Sequence, residues 1–227
     1  MEQQGIKIAV FGGGSSYTPE LIEGLLARRA SIPLRELALV DIEAGRDKVE
    51  TIAALTRRML DQNGLQAVKV SVHYAPDEAI RGAQFVLTQL RVGRLAARAA
   101  DERLGLKYGL IGQETTGVGG FAKALRTIPV MLDIARRVEK LAPDAWIINF
   151  TNPAGIVTEA VSRFTKAKII GLCNVPISMH HHDRQHAAGA LRRRAAAVRR
   201  LESHGLGASG HAAGARRHRQ SDRHAVR

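Results

Sequence analysis

Short apolar runs alternate with amphipathic segments over most of the chain. The first run, residues 6–11, is rich in β-branched side chains and stops at three consecutive glycines, which is typical of a buried parallel strand that enters a tight turn. Similar runs predict further strands over residues 37–41, 68–72, 85–89, 145–150 and 168–172. Helical spacing of apolar residues predicts a first helix capped by Ser16 or Thr18, and further helices over residues 46–63 and 128–141. Strands that alternate with helices indicate an α/β fold with a doubly wound parallel sheet.

The periodic pattern divides the chain into one predicted domain over residues 1–177 and a tail over residues 178–227. The tail carries 11 of the 34 basic residues and three of the 21 acidic ones, a net charge of +8 that leaves +5 for the domain. It also holds eight of the nine histidines and no Ile, Phe, Tyr or Trp. Its one helix-prone stretch, residues 187–201, has an apolar face made mostly of alanine, so we expect the tail to pack poorly.

The composition excludes several classes of protein. With 45% hydrophobic and 24% charged residues, the chain can bury a sizeable core. The single cysteine, Cys173, excludes a disulfide-stapled fold, and no apolar run approaches the ~20 residues of a membrane helix. The first residues show no secretory signal, so we predict a cytoplasmic protein with no membrane partner, in which Cys173 is a free thiol or thiolate.

A glycine-rich segment, residues 12–16, lies between the first predicted strand and the first predicted helix. Backbone N–H groups and a helix N-terminus at such a place can bind a pyrophosphate. Tyr17 replaces the third glycine of the G-x-G-x-x-G spacing, so an ordinary tight turn stays an alternative. Asp41 ends the second predicted strand, where a carboxylate either accepts hydrogen bonds from a ribose or caps the next helix. Together these features favour a dinucleotide site formed by Gly12, Gly13, Gly14, Ser15, Ser16 and Asp41.

Polar residues also lie where the fifth and sixth predicted strands end, at the edge of the sheet where open α/β folds bind ligands. Cys173 follows the sixth strand, although a lone cysteine at such a place is more often a small core residue. Asn149 and Asn152 lie at the end of the fifth strand. They can orient sugar hydroxyls, or they can form an Asx-turn before a proline.

Arginines group after the fourth predicted strand, at positions 91, 94 and 98. Their guanidinium groups suit an anionic substrate group such as phosphate, or else a solvated helix face. Glu114 lies just downstream in a glycine-rich loop, where a carboxylate can tune a base or a metal ligand, or remain solvated.

Four segments occur in a characteristic order, namely residues 11–21, 112–115, 149–153 and 173–177. Together they resemble glycoside hydrolase family 4, and especially its 6-phospho-β-glucosidases. The resemblance covers residues 5–177 nearly continuously. Asn174 sharpens it, because the 6-phospho-α-glucosidase branch usually has an aspartate after this cysteine and the β branch an asparagine.

The resemblance implies a Rossmann-like domain and an enzyme that uses NAD and a divalent metal, usually Mn²⁺. In this family NAD takes hydride from carbon 3 of the sugar, a base removes the carbon 2 proton while the metal stabilises the enolate, the aglycone leaves, water adds and the hydride returns. The implied substrate is a phosphorylated disaccharide or an aryl 6-phospho-β-glucoside. Full-length relatives are expected to be homo-oligomers.

The resemblance also implies roles for single residues. Gly12 to Ser16 would bind the NAD pyrophosphate and Asp41 its ribose. Arg98 and Asn152 would hold the phosphosugar, and Glu114 would tune the catalytic base. Cys173 would ligate the metal, with Asn174 beside it in the catalytic set.

The tail departs from the family. It has neither the Gly-Leu-Asn-His segment that completes the metal site nor the later tyrosine that acts as base. A frameshift would explain this, because codons for residues 201–208, read one base later, can encode Leu-Asn-His-Met-Gly-Trp-Val. The hypothesis implies that the substrate domain is largely missing and that this chain has negligible glycosidase activity. Sequencing the encoding DNA tests the frameshift, and p-nitrophenol release from its 6-phospho-β-glucoside tests the activity.

Two other functions stay open at this point. A dehydrogenase related to the lactate and malate enzymes would share the cofactor domain, and net redox turnover of NAD would distinguish it. A nucleic-acid-binding protein could use the +8 tail electrostatically, but the tail has no aromatic residue for base stacking, which makes this the weaker alternative.

Overall fold

The computed structural model describes residues 5–174. Residues 5–173 belong to one compact unit, whereas the predicted tail lies outside the described residues. The domain boundary at residue 177 therefore stays a prediction. Within the described part of the chain, no helix is both long enough and apolar enough to cross a membrane.

In this described part of the chain, six strands form one parallel sheet in the order β3-β2-β1-β4-β5-β6. Their bounds are β1 Ile6–Phe11, β2 Leu34–Val40, β3 Lys69–His73, β4 Phe85–Thr88, β5 Trp146–Asn149 and β6 Lys168–Gly171. In the centre, Ala9 of β1 pairs with Ala38 of β2 on one side and with Val86 of β4 on the other. The strand order reverses its direction between β1 and β4, so the predicted doubly wound parallel sheet is confirmed.

Helices connect the strands across both faces of the sheet. Their bounds are α1 Thr18–Ala27, α2 Arg46–Gln62, α3 Pro76–Ile80, α4 Arg94–Lys107, α5 Gly117–Leu141 and α6 Ala154–Phe164. The predicted helix over residues 46–63 is confirmed to within one residue. The last predicted helix begins at Gly117 instead of residue 128, because its glycine-rich start and the internal Pro129 obscure the helical pattern.

Each face of the sheet buries its own apolar layer. One layer packs α1 and α2 on the sheet and includes Val10, Ile22, Leu39 and Val49. The other packs α3, α5 and α6 and includes Val86, Met131, Ile147 and Val157. Because both layers are buried, the sheet is rigid, and it fixes the positions of the loops that follow its strands at the carboxyl edge.

Candidate functional site

The glycine-rich segment forms the turn between β1 and α1 at the carboxyl edge of the sheet. The N–H groups of Gly12 and Gly13 both donate to the carbonyl oxygen of Val40, at 2.9 and 3.0 Å, and tie the loop to the end of β2. Within residues 5–174, the N–H of the exposed Ser16 has no acceptor. A free donor thus lies just before the N-terminus of α1, where a helix stabilises an anionic group.

Two glycines let the loop approach its neighbours closely. Gly12 has a φ of +80°, and a Cβ on it would lie 3.0 Å from backbone atoms of Gln89. A Cβ on Gly13 would lie 2.8 Å from the Cβ of Leu39. The free N–H of Ser16 and a turn whose glycines carry no side chains fit the pyrophosphate of a dinucleotide.

The carboxylate of Asp41 is anchored on two backbone donors. Its Oδ2 accepts the N–H of Gly14 at 2.8 Å and its Oδ1 accepts the N–H of Ile42 at 2.9 Å. Neither α2 nor the short 3₁₀ turn before it, Glu43–Gly45, is capped by a side chain, so the interpretation of Asp41 as a helix cap is wrong. Each carboxylate oxygen keeps a lone pair that can accept a hydrogen bond from a ribose hydroxyl.

Tyr17, at the position of the third glycine, contacts a neighbouring loop. Its ring meets that of Phe150 edge to face, with the centroids 6.1 Å apart. Tyr17 also occupies the N-cap position of α1, and no side chain caps this helix, so the predicted cap by Ser16 or Thr18 is wrong. The Thr18 hydroxyl donates instead to the carbonyl oxygen of Gly13 at 2.9 Å.

The two asparagines at the end of β5 differ in their surroundings. Asn149 is fully buried, and its Oδ1 accepts hydrogen bonds from the Thr88 hydroxyl at 2.9 Å and the Thr151 N–H at 3.0 Å. The second bond is an Asx-turn, so the structural interpretation holds for Asn149. Asn152 is half-buried and precedes Pro153 through a cis peptide bond.

Cys173 lies just beyond β6 and is exposed, so its interpretation as a small core residue is wrong. The preceding Leu172 donates its N–H to the carbonyl oxygen of Asn149 at 2.8 Å, which places the segment beside the end of β5. Asn174, also exposed, is the last described residue. Residues 5–174 contain no group of three His, Cys, Asp or Glu side chains that could hold a metal ion, so they do not by themselves fit one.

Three cations surround the carboxylate of Glu114. Its Oε2 accepts hydrogen bonds from Arg91 and, at 2.8 Å, from Lys123, whose side chain is only 3% exposed. Arg98, in the first turns of α4, lies 3.5 Å from Oε1 and also bonds to Glu102 at 2.8 Å. The predicted residues Arg98 and Glu114 are therefore brought together. Positive charge exceeds negative charge here, which suits an anionic ligand.

The charge of Glu114 is set by two opposing effects. Burial by itself raises the pKa of this carboxyl, but the hydrogen bonds from Lys123 and Arg91 outweigh burial and hold the pKa below its usual value. Burial lowers the pKa of Lys123, and the bond to Glu114 offsets part of that change. Because the pKa of Glu114 is depressed on folding, its stabilising effect is present at neutral pH and is lost as the pH falls through the folded-state pKa.

Replacing Lys123 by methionine should raise the pKa of Glu114, because the carboxylate stays partly buried but loses a charged donor. ¹³C NMR of the glutamate carboxyls, titrated between about pH 2 and 7 around the reference pKa, measures this directly. The exposed Lys107 at the end of α4 provides a matched control, and Lys107→Met should leave the Glu114 titration unchanged. An unshifted Glu114 in Lys123→Met would show that the arginines alone set its charge.

Three contacts in this region were not predicted from the sequence. Gln89 donates to the Gly12 carbonyl oxygen and to the Thr18 hydroxyl, Thr18 donates in turn to the Gly13 carbonyl oxygen, and Lys123 pairs with Glu114. Gln89 could have been found by the argument used for Asp41, because both directly follow a strand at the carboxyl edge. No local pattern marks Lys123, since its partner lies on a separate loop.

A sequence profile of the family 4 glycosyl hydrolases matches residues 7–187. A probable 6-phospho-β-glucosidase from Bacillus subtilis is 54% identical over 179 residues, which are 78% of this chain and 40% of that protein. The Escherichia coli 6-phospho-β-glucosidase is 54% identical over 177 residues, 78% of this chain and 39% of its own length. This chain therefore spans about 40% of the length of these relatives.

A solved structure agrees with the sequence comparison. The 6-phospho-β-glucosidase from Thermotoga maritima, solved with manganese, NAD⁺ and glucose-6-phosphate, superposes with a TM-score of 0.73 at 41% identity. The match covers 79% of this chain and 43% of that one. Sequence and structure comparisons thus agree on the same group of proteins.

Proposed function

Because this chain belongs to family 4 of the glycosyl hydrolases, we propose that it carries the cofactor domain of an NAD- and manganese-dependent 6-phospho-β-glucosidase. The observation that supports this most directly is the glycine loop, whose amide groups are tied to β2 and Asp41, while the Ser16 N–H, just before α1, has no acceptor among residues 5–174. A dinucleotide pyrophosphate fits this free donor beside the helix N-terminus, and the Asp41 carboxylate fits the ribose.

Bound NAD supplies a hydride acceptor at this edge of the sheet. The residues of this chain bind and orient it: the loop from Gly12 to Ser16 takes the pyrophosphate and Asp41 takes the ribose hydroxyls. Tyr17 and Phe150 form an aromatic contact beside the loop and keep the loops after β1 and β5 together.

The cations around Glu114 suit the phosphate group of the substrate. Arg98 is 43% exposed and can donate to a phosphate, whereas Lys123 is buried and holds Glu114 in its ionised form. In the proposed site Asn152 contributes a polar group to the phosphosugar, and Glu114 tunes the base. The substrate would be a 6-phospho-β-glucoside, in a disaccharide or with an aryl aglycone.

The metal is proposed from the relatives. A solved 6-phospho-β-glucosidase contains manganese, and Cys173 would offer a thiolate ligand here. Since residues 5–174 bring no complete set of ligands together, no step of the reaction is assigned to the metal. The cytoplasmic location and the homo-oligomeric state stay predictions.

Calorimetric titration of the purified chain tests the proposal. NAD should bind saturably, and glucose-6-phosphate should then bind to the NAD-loaded chain. Replacing Arg98 by alanine should lower the affinity for glucose-6-phosphate about tenfold, which is the usual effect of losing one charge-assisted hydrogen bond. The affinity for NAD should stay unchanged. Arg103→Ala, which removes an exposed arginine from the same helix, is the control and should change neither affinity.

Absence of NAD binding by the wild-type chain would overturn the cofactor assignment. Stoichiometric reduction of NAD in the presence of lactate or malate would support a dehydrogenase instead. The glycosidase reaction gives the hydride back to the sugar, so it shows no net reduction of NAD.

A further inference from the structure

Gln89 directly follows β4 at the carboxyl edge of the sheet, where the strand order reverses between β1 and β4. Its side-chain Nε2 donates to the hydroxyl of Thr18 at 2.7 Å and to the carbonyl oxygen of Gly12 at 3.3 Å. Its main-chain N–H donates to the carbonyl oxygen of Phe11 at 2.9 Å. The residue that follows β4 thus contacts the end of β1, the glycine loop and the first residue of α1.

Thr18 continues this connection. It is fully buried, and its hydroxyl accepts from Gln89 while it donates to the carbonyl oxygen of Gly13 at 2.9 Å. The two side chains therefore bond to the carbonyl oxygens of two consecutive glycines, Gly12 and Gly13, from the side of α1 and β4. The amide groups of the same glycines are held from the side of β2.

We propose that Gln89, acting through Thr18, is a positioning residue that fixes the glycine loop in the conformation that binds the dinucleotide pyrophosphate. The inference rests on the NAD site proposed above. Three consecutive glycines lose more conformational freedom on ordering than any other tripeptide, so an untethered loop would have to be ordered by the ligand. A loop that is already ordered binds more tightly, because that loss of entropy occurs on folding and not on binding.

The test compares NAD affinity, measured by calorimetry, with thermal stability in the same variants. Gln89→Met keeps the length of the side chain but removes its donors, and should weaken NAD binding about tenfold. Thr18→Val, which keeps the shape and removes the hydroxyl, should do the same, whereas Thr18→Ser should stay within about twofold of wild type. The double variant of Gln89→Met and Thr18→Val should bind about as weakly as either single variant, because both break one connection.

Gln84 provides a matched control at the opposite end of the same strand. Its Oε1 accepts the N–H of Lys7 at 2.7 Å, so Gln84→Met also removes a hydrogen bond between the β4 region and β1. This variant should leave NAD affinity unchanged. Hydrogen exchange of the unliganded chain should show faster exchange in residues 12–16 for Gln89→Met and not for Gln84→Met.

The outcomes separate this inference from the proposed function. A wild-type chain that binds no NAD would overturn the NAD site, and this role of Gln89 with it. Normal NAD affinity in Gln89→Met, or equal weakening by Thr18→Ser and Thr18→Val, would overturn the positioning role while leaving the NAD site intact. If Gln89→Met does not fold, the comparison of NAD affinity between Thr18→Val and Thr18→Ser tests the positioning role by itself.

Discussion

A Gly12→Ala chain should bind NAD about a hundredfold more weakly than wild type, or not measurably, although the change adds a single methyl group. Gly12 has a φ of +80°, a region that costs an alanine about 1–2 kcal/mol. The added Cβ would also lie 3.0 Å from three backbone atoms of Gln89 and Leu90. Backbone atoms cannot swing aside as the end of a side chain can, so the loop itself must move.

A displaced loop carries the Ser16 N–H away from the position in which it meets the pyrophosphate. Thus the effect on binding should exceed the effect on stability. Calorimetric titration with NAD measures the first, and urea unfolding followed by circular dichroism measures the second.

Gly24→Ala provides the control in α1, the helix that follows the loop. A Cβ on Gly24 would meet no atom within 4 Å, and the residue is helical, so alanine should stabilise the chain by about 0.4–1 kcal/mol and leave NAD affinity unchanged. Unchanged NAD binding in Gly12→Ala would show that the loop does not contact the cofactor.

The central strands β1 and β2 could be predicted from the sequence because they are largely buried on both faces. Such strands appear as continuous apolar runs between glycines and polar residues. All six strands were found, including the more exposed edge strands β3 and β6. Helix α4 was missed because its large apolar side chains do not form a buried stripe, with Leu95 69% and Leu106 63% exposed. A helix that buries little leaves little periodicity in the sequence.

The site could be predicted as far as its contacts are local. The Asx-turn of Asn149 joins residues two positions apart, so it was open to inference from the sequence. The bond from Gln89 to Thr18 spans 71 positions and depends on the β1–β4 pairing. Such a contact can be predicted only when the strand order is already known. The same holds for the burial of Lys123, which follows from the packing of α5 and not from its own neighbours.

Replacing Asp41 by alanine should lower the affinity for NAD about a hundredfold, because two separate interactions are lost. The N–H of Gly14 loses its acceptor at 2.8 Å, which removes one of the bonds that hold the loop although those of Gly12 and Gly13 to Val40 remain, and the ribose hydroxyls lose theirs. Asp41→Asn keeps one oxygen acceptor in place, so it should lower the affinity for NAD only about tenfold. Asp47→Ala removes the same charge from the first turn of α2 without touching the loop, and should leave the affinity unchanged.

NADP separates the two interactions of Asp41. Its extra 2′-phosphate would lie against the carboxylate, so the wild-type chain should prefer NAD over NADP. In Asp41→Ala the repulsion disappears together with the ribose acceptor, so the preference for NAD should fall at least about tenfold while the loss of loop anchoring weakens both dinucleotides. Parallel titrations with the two dinucleotides give this ratio. A preference that survives in Asp41→Ala would mean that Asp41 acts on the loop alone, and that another residue selects the ribose.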